Sequence, residues 1–120
     1  MSPKDRLTNA EPVAYALLRV VSGLLFFQVG GKIVFGWFAA SAAAAEPRAP
    51  LTSQIGIGGL LEFFGGLLIM SGLLTRPVAF VLSGEMAVAY WQFHAPHVSW
   101  PVQNSGTPAV LFCFIFLLFA

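Results

Sequence analysis

From Val13 to Phe38 the chain is apolar except for Arg19, Lys32 and a few small or amide residues, and three more such runs follow it. This pattern constrains the fold more than any other feature. About 20 consecutive apolar residues carry a helix across roughly 30 Å of hydrocarbon. Inside that layer every backbone polar group needs an internal partner, which leaves only helices or closed barrels. The runs predict helical spans at about 13–38, 52–74, 77–95 and 108–120. Pro12 precedes the first, Thr52 or Ser53 is the expected N-cap of the second, and Pro77 opens the third. The expected fold is all-α, an integral membrane four-helix bundle forming one domain over residues 1–120. Thirteen residues in the last run rise only about 20 Å, so the fourth helix is expected to be short or truncated in this sequence.

Composition narrows the classes further. Hydrophobic residues make up 58% of the 120 positions and charged residues 9%, against about a quarter charged in soluble domains. Such a chain has too little polar surface to face water on all sides. A net charge of +1 with no basic block excludes a nucleic-acid partner and leaves the lipid bilayer as the expected one. The single cysteine, Cys113, excludes an intrachain disulfide or a CxxC site and reads as a buried, inert thiol. The glycines lie inside apolar runs and form no phosphate loop.

Positive charge orients the spans. Lys4, Arg6 and Arg76 fall on one side, with only Arg48 in a loop on the other. The positive-inside rule then places the N-terminus and the short Thr75–Arg76 turn in the cytoplasm. Trp37, Trp91 and Trp100 fall toward the opposite interface. The small-residue run SAAAAEP resembles a cleavage site, but the apolar stretch before it is longer than a signal core and holds Gln28 and Lys32. An uncleaved anchor is expected.

Four charges remain inside the spans, and an intramembrane ionisable group is a functional candidate by its cost alone. At 1.5 Å of rise per residue, Arg19 and Glu85 lie at matched depths from the cytoplasmic ends of spans one and three. Lys32 and Glu62 are matched from the outer ends of spans one and two. Two ion pairs are therefore expected, Arg19 with Glu85 and Lys32 with Glu62, which together sum to zero charge. In GGLLEFFGGLL, residues 59–69, Gly59, Glu62 and Gly66 share one helix face, where small residues admit a neighbouring backbone. Glu85, Ala89 and Gln92 form another such face. One reading of the pairs is that they fix helix register. The other is a polar pocket of Gln28, Lys32 and Glu62, able to hold a quinone headgroup, a sulfur oxyanion or a proton in transit.

His94 and His97 close the third span. Their spacing suits no haem, and no Cys, Asp or Glu follows to complete a metal site, so no metal is expected. His94 and Trp91 read as interfacial contacts.

The strings RVVSGLLFFQVGGKIVFGWF and GGLLEFFGGLLIMSGLLTRPVAFVLSGEMAVAYWQFHAP resemble the DoxX family of small four-helix bacterial membrane proteins. The residues that carry the resemblance include Arg19, Gly23, Gln28, Glu62, Gly72, Arg76, Glu85 and His94. The segment WPVQNSGTP resembles the family's WPxxNGGE. Two positions depart from the family pattern: its basic residue falls where this chain has Ile33, and its loop acid falls at Thr107. The resemblance implies a place in the bacterial cytoplasmic (inner) membrane and an association with quinone-linked or respiratory-type redox complexes. It brings no cofactor motif, so no cofactor is intrinsic to the chain, although a quinone could bind. Three functions follow. The chain is a membrane subunit of a quinone-linked oxidoreductase complex, or a structural accessory subunit against a larger respiratory or photosynthetic complex, or a small transporter or proton path. At most it is a non-autonomous part of an enzyme.

Overall fold

A computed structural model describes residues 2–38 and 50–120. Helices α1 (Pro3–Phe35), α2 (Gln54–Ser71), α3 (Thr75–Ala89), α4 (Pro101–Asn104) and α5 (Thr107–Phe119) account for most of them. A π-helical turn, Tyr90–His94, extends α3 without a break. There is no strand among the described residues. Two helices, Pro3–Phe35 and Gln54–Ser71, are long and apolar enough to cross a membrane, and Thr107–Phe119 is a shorter apolar helix. The 39–49 stretch, with Arg48 and the whole SAAAAEP run, lies outside the described residues.

Several boundaries differ from the sequence-based expectation, each for a local reason. Helix α1 starts ten residues before Val13, at Pro3, because Ser2 and Asp5 form a reciprocal capping box. Asp5 N donates to Ser2 Oγ at 3.2 Å and Ser2 N donates to Asp5 Oδ2 at 3.1 Å. Pro12 lies inside the helix, where it removes one backbone donor without ending the run. Ser53 is the N-cap of α2, its Oγ accepting from Gly56 N at 3.1 Å. The turn before α3 falls at Gly72–Leu74 instead of Thr75–Arg76. Gly72 has φ 82° and Leu74 φ 51°, and the left-handed Gly72 ends α2 as a C-cap.

The helices alternate in direction along the chain. Helices α1 and α2 are antiparallel and meet backbone to backbone. A Cβ on Gly23 would stand 2.6 Å from Gly66 O, and one on Gly66 would stand 2.5 Å from Phe27 N. Without a hydrophobic force between helices in lipid, such close van der Waals packing is the main attraction available. Helices α3 and α5 form the second antiparallel pair, joined by Ser83 Oγ donating to Cys113 O at 2.7 Å. The two pairs close on a core of Phe26, Ile69, Leu82, Met86, Phe116 and Phe119. Phe26 meets Phe116 edge-on with ring centroids 4.5 Å apart. Apolar side chains are exposed as well, among them Leu17, Phe80 and Leu118. A chain apolar inside and outside is suited to lipid contact.

Candidate functional site

Glu62 lies on the α2 face with Gly59 and Gly66, and those glycines draw α1 onto that face. The carboxyl is thereby buried, only 8% exposed. On α3, Glu85 occupies the face toward α2, and Gly58 gives it room: a Cβ there would stand 3.0 Å from Glu85 Oε1. The two carboxyl groups line one cavity between α2 and α3. Oε2 of each is buried with no hydrogen-bond partner. An ionised carboxylate only accepts, so these oxygens call for a donor or a cation.

The expected ion pairs are replaced by this arrangement. Lys32 is exposed in the last turn of α1, and Ile33 takes the inward position, packed against Gly59. Successive helical residues are about 100° apart, so only one of the two can face α2. Lys32 keeps its ammonium outward, where a long side chain reaches polar surroundings. Gln28 is half-buried, and neither Gln28 nor Lys32 lines either of the two cavities described at Glu62. Arg19 faces the end of α2 and not α3. Its Nη1 donates to Ile69 O at 2.7 Å and Met70 O at 3.1 Å, satisfying carbonyls at the α2 C-terminus, where a cation is favoured. Depth matched Arg19 to Glu85, but the Arg19–Gly23 face of α1 is the one laid on α2.

Two cavities meet at Glu62. One, about 260 Å³, opens between α2 and α3 and is bounded by Ile33, Gln54, Glu62, Glu85 and Phe93. The other, about 340 Å³, opens between α1 and α5 and is bounded by Phe26, Glu62, Met86, His94 and Phe112. Glu62, Ala89 and His94 line both. Gln54 Nε2 donates to Gln92 Oε1, tying α2 to α3 beside the first cavity.

His94 reaches this junction through the π-helical turn, marked by Ala95 N donating to Tyr90 O at 2.9 Å. Insertions of this kind re-aim side chains and recur at functional sites. The His94 Nδ1 lies 3.0 Å from Asn104 O. A carbonyl can only accept, so Nδ1 carries a proton, which leaves Nε2 as the nitrogen that exchanges one. Asn104 is buried and holds the loop, donating from Nδ2 to Val98 O at 2.8 Å and accepting from Gly106 N at 2.8 Å. Trp91 is 70% exposed on the same turn.

The contribution of Asn104 and the inward turn of His94 were missed by sequence reasoning. An asparagine two residues before a glycine is a turn signal, but its burial depends on the packing of α4. Among the described residues, no group of three or more His, Cys, Asp or Glu is placed to hold a metal ion.

Comparison with known proteins agrees with this residue pattern. The DoxX family model matches residues 14–95. A Haemophilus influenzae protein described as "Uncharacterized protein" is 32% identical over 118 residues, covering 96% of this chain and 87% of its own length. No solved structure matches. The chain belongs to the DoxX family of membrane proteins.

Proposed function

We propose that this DoxX-family membrane protein is a multi-pass subunit of a quinone-linked redox complex in the bacterial cytoplasmic membrane, and that the α1–α5 cavity receives a quinone headgroup. In this reading α1, α2, the Thr75–His94 helix and α5 act as a four-helix bundle within one domain, its N-terminus cytoplasmic. Lys4, Arg6 and Arg76 then share the inner side, while Trp91 and His94 sit toward the outer interface.

One observation carries the reading: the buried, unpartnered Glu62 Oε2 and the His94 ring line the same cavity, walled by Phe26, Met86 and Phe112. A quinone headgroup requires apolar walls for its ring and proton-exchanging groups for its oxygens. Glu62 holds or gives a proton at Oε2, and His94 Nε2 accepts one. Asn104 fixes the His94 tautomer, and the aromatic walls exclude water. A bound quinone supplies two-electron carrier chemistry, and a partner subunit supplies the electrons. The chain acts as a non-autonomous part of an oxidoreductase.

The test is quinone reduction in native membranes with Glu62→Gln. The reading expects a loss of about a hundredfold or more with the protein still assembled in the membrane. Full activity in that variant would overturn it.

A second reading, a structural accessory subunit against a larger respiratory or photosynthetic complex, draws on a different observation. A groove of about 470 Å³ between α2 and α3 is lined wholly by apolar residues, among them Ile57, Leu61, Phe64, Val78 and Val81. This reading expects co-purification with larger membrane subunits that is lost when Phe64 and Val81 are changed to Asn. A purified chain with turnover of its own would refute it.

A further inference from the structure

The charges inside the helices do not cancel. Arg19 is engaged by the carbonyls of Ile69 and Met70, and Lys32 is exposed. No Lys or Arg lines either cavity around Glu62 and Glu85. Two carboxyls thus line a cavity with no Lys or Arg among the described residues to neutralise them, and Oε2 of Glu62 is buried and unpartnered there. Glu62 is itself more than nine-tenths buried.

We infer that the α2–α3 cavity binds a small hydrophobic organic cation, an ammonium group carried on an apolar body, held between Glu62 and Glu85. The walls select this class. An inorganic cation such as Ca²⁺ wants about six to eight oxygen ligands, whereas Ile33, Ile55, Val88 and Phe93 present hydrocarbon around the carboxyls. An ammonium donates up to three hydrogen bonds, which match the two Oε2 atoms and the Gln54 side-chain oxygen. Its apolar body packs on Ile33, Ile55 and Val88, and the Phe93 ring favours positive charge nearby. At about 260 Å³ the cavity accommodates a single aromatic ring with a short amine arm.

Binding has a defined proton consequence. A proton bridging the two carboxyls and a cation seated between their oxygens would occupy the same place, so a bound cation excludes that proton. Cation and proton therefore compete. The groups facing the pair are Ile33 from α1, Gln54 and Gly58 from α2, and Val88 and His94 from the α3 run. His94 is the one other titratable group among them, and its Nδ1 is committed to Asn104. The inference does not rest on the quinone reading, which uses the α1–α5 cavity. Glu85 lines only the α2–α3 cavity, so Glu85→Gln separates the two.

The experiment is calorimetric titration of the purified full chain in nanodiscs with phenethylammonium, against its neutral analogue 3-phenylpropanol. Saturable, one-to-one binding of the ammonium is expected, about tenfold or more weaker in Glu62→Gln and Glu85→Gln. It is expected to be weaker at about pH 5 than at about pH 8, where protons compete less. Ile33→Lys places a cation of the chain's own in the cavity and should abolish binding while leaving the fold intact, which keeps the test decisive if a Gln variant fails to assemble. The inference is overturned by equal binding of the alcohol, by unchanged affinity in Ile33→Lys, or by no saturable binding, the last meaning that the pair takes only a proton.

Discussion

Changing Gly66 to Ala tests the packing that buries Glu62. The new Cβ would stand 2.5 Å from Phe27 N, 2.6 Å from Gly23 O and 3.0 Å from Phe27 Cα. All three are backbone atoms, so no side chain can rotate away. Ordinary contact begins at 3.4 Å, and reaching it requires α1 and α2 to part by about 0.9 Å over this turn, forfeiting a quarter to a half of the local dispersion energy. Overpacking of this kind costs about 1–3 kcal/mol. The separation also pulls Arg19 from Ile69 O and Met70 O, about one turn away, adding to the loss. Gly84→Ala is the control: nothing lies within 4 Å of its Cβ position, and alanine is the better helix former by about 1 kcal/mol. Unfolding of both variants in mixed detergent micelles should rank Gly84→Ala at or above wild type and Gly66→Ala well below it. Equal stability for the two would refute the close α1–α2 contact.

Other consequences follow from single contacts. Arg19→Met removes the side-chain donor to the Met70 carbonyl and leaves Ile69 O with the Gly72 N–H alone, and a loss of about 1–3 kcal/mol is expected in the same unfolding assay, with hydrogen exchange quickening at the end of α2. Asn104→Ala removes the bonds to Val98 O and Gly106 N, and should cost about 1–3 kcal/mol while broadening the His94 ring resonances by NMR. The Ser2 hydroxyl and backbone N–H hold the Asp5 carboxyl below its ordinary value. A depressed carboxyl contributes stability above its ordinary range and loses it as pH falls through the lowered value. Helicity at the start of α1, followed by amide exchange, should therefore decline on acidification through and below about pH 3.9, and Ser2→Ala should weaken that dependence by removing the hydroxyl while keeping the backbone donor.

Much of the fold was legible because helix periods and end signals are local. Ser53, Gly72 and the apolar runs each act through their immediate neighbours, and four helices emerged near the predicted positions. The start of α1 was harder to read. Pro12 looked like a boundary, and the Ser2–Asp5 cap that carries the helix past it is a weak signal on its own. The face bearing Gly59, Glu62 and Gly66 was also readable, as was the one bearing Glu85, Ala89 and Gln92. Their partners were not. Depth along a helix fixes only one coordinate, and matching by depth assigned Arg19 to Glu85 and Lys32 to Glu62. Rotation about the helix axis decides the pairing, and the 100° between Lys32 and Ile33 is enough to exchange a cation for a hydrocarbon wall. The inward turn of His94 depends on one π-helical turn, for which the run YWQFH carries no recognisable signal.

The nearness of Glu62 and Glu85 in one cavity underlies the cation reading, and infrared spectroscopy tests it most directly. In nanodiscs without added cation, wild-type protein should show a hydrogen-bonded, protonated carboxyl C=O stretch at neutral pH, and that band should be lost or shifted in Glu62→Gln and Glu85→Gln alike. A band unaffected by either substitution, or carboxylate bands alone with both residues ionised, would contradict that nearness.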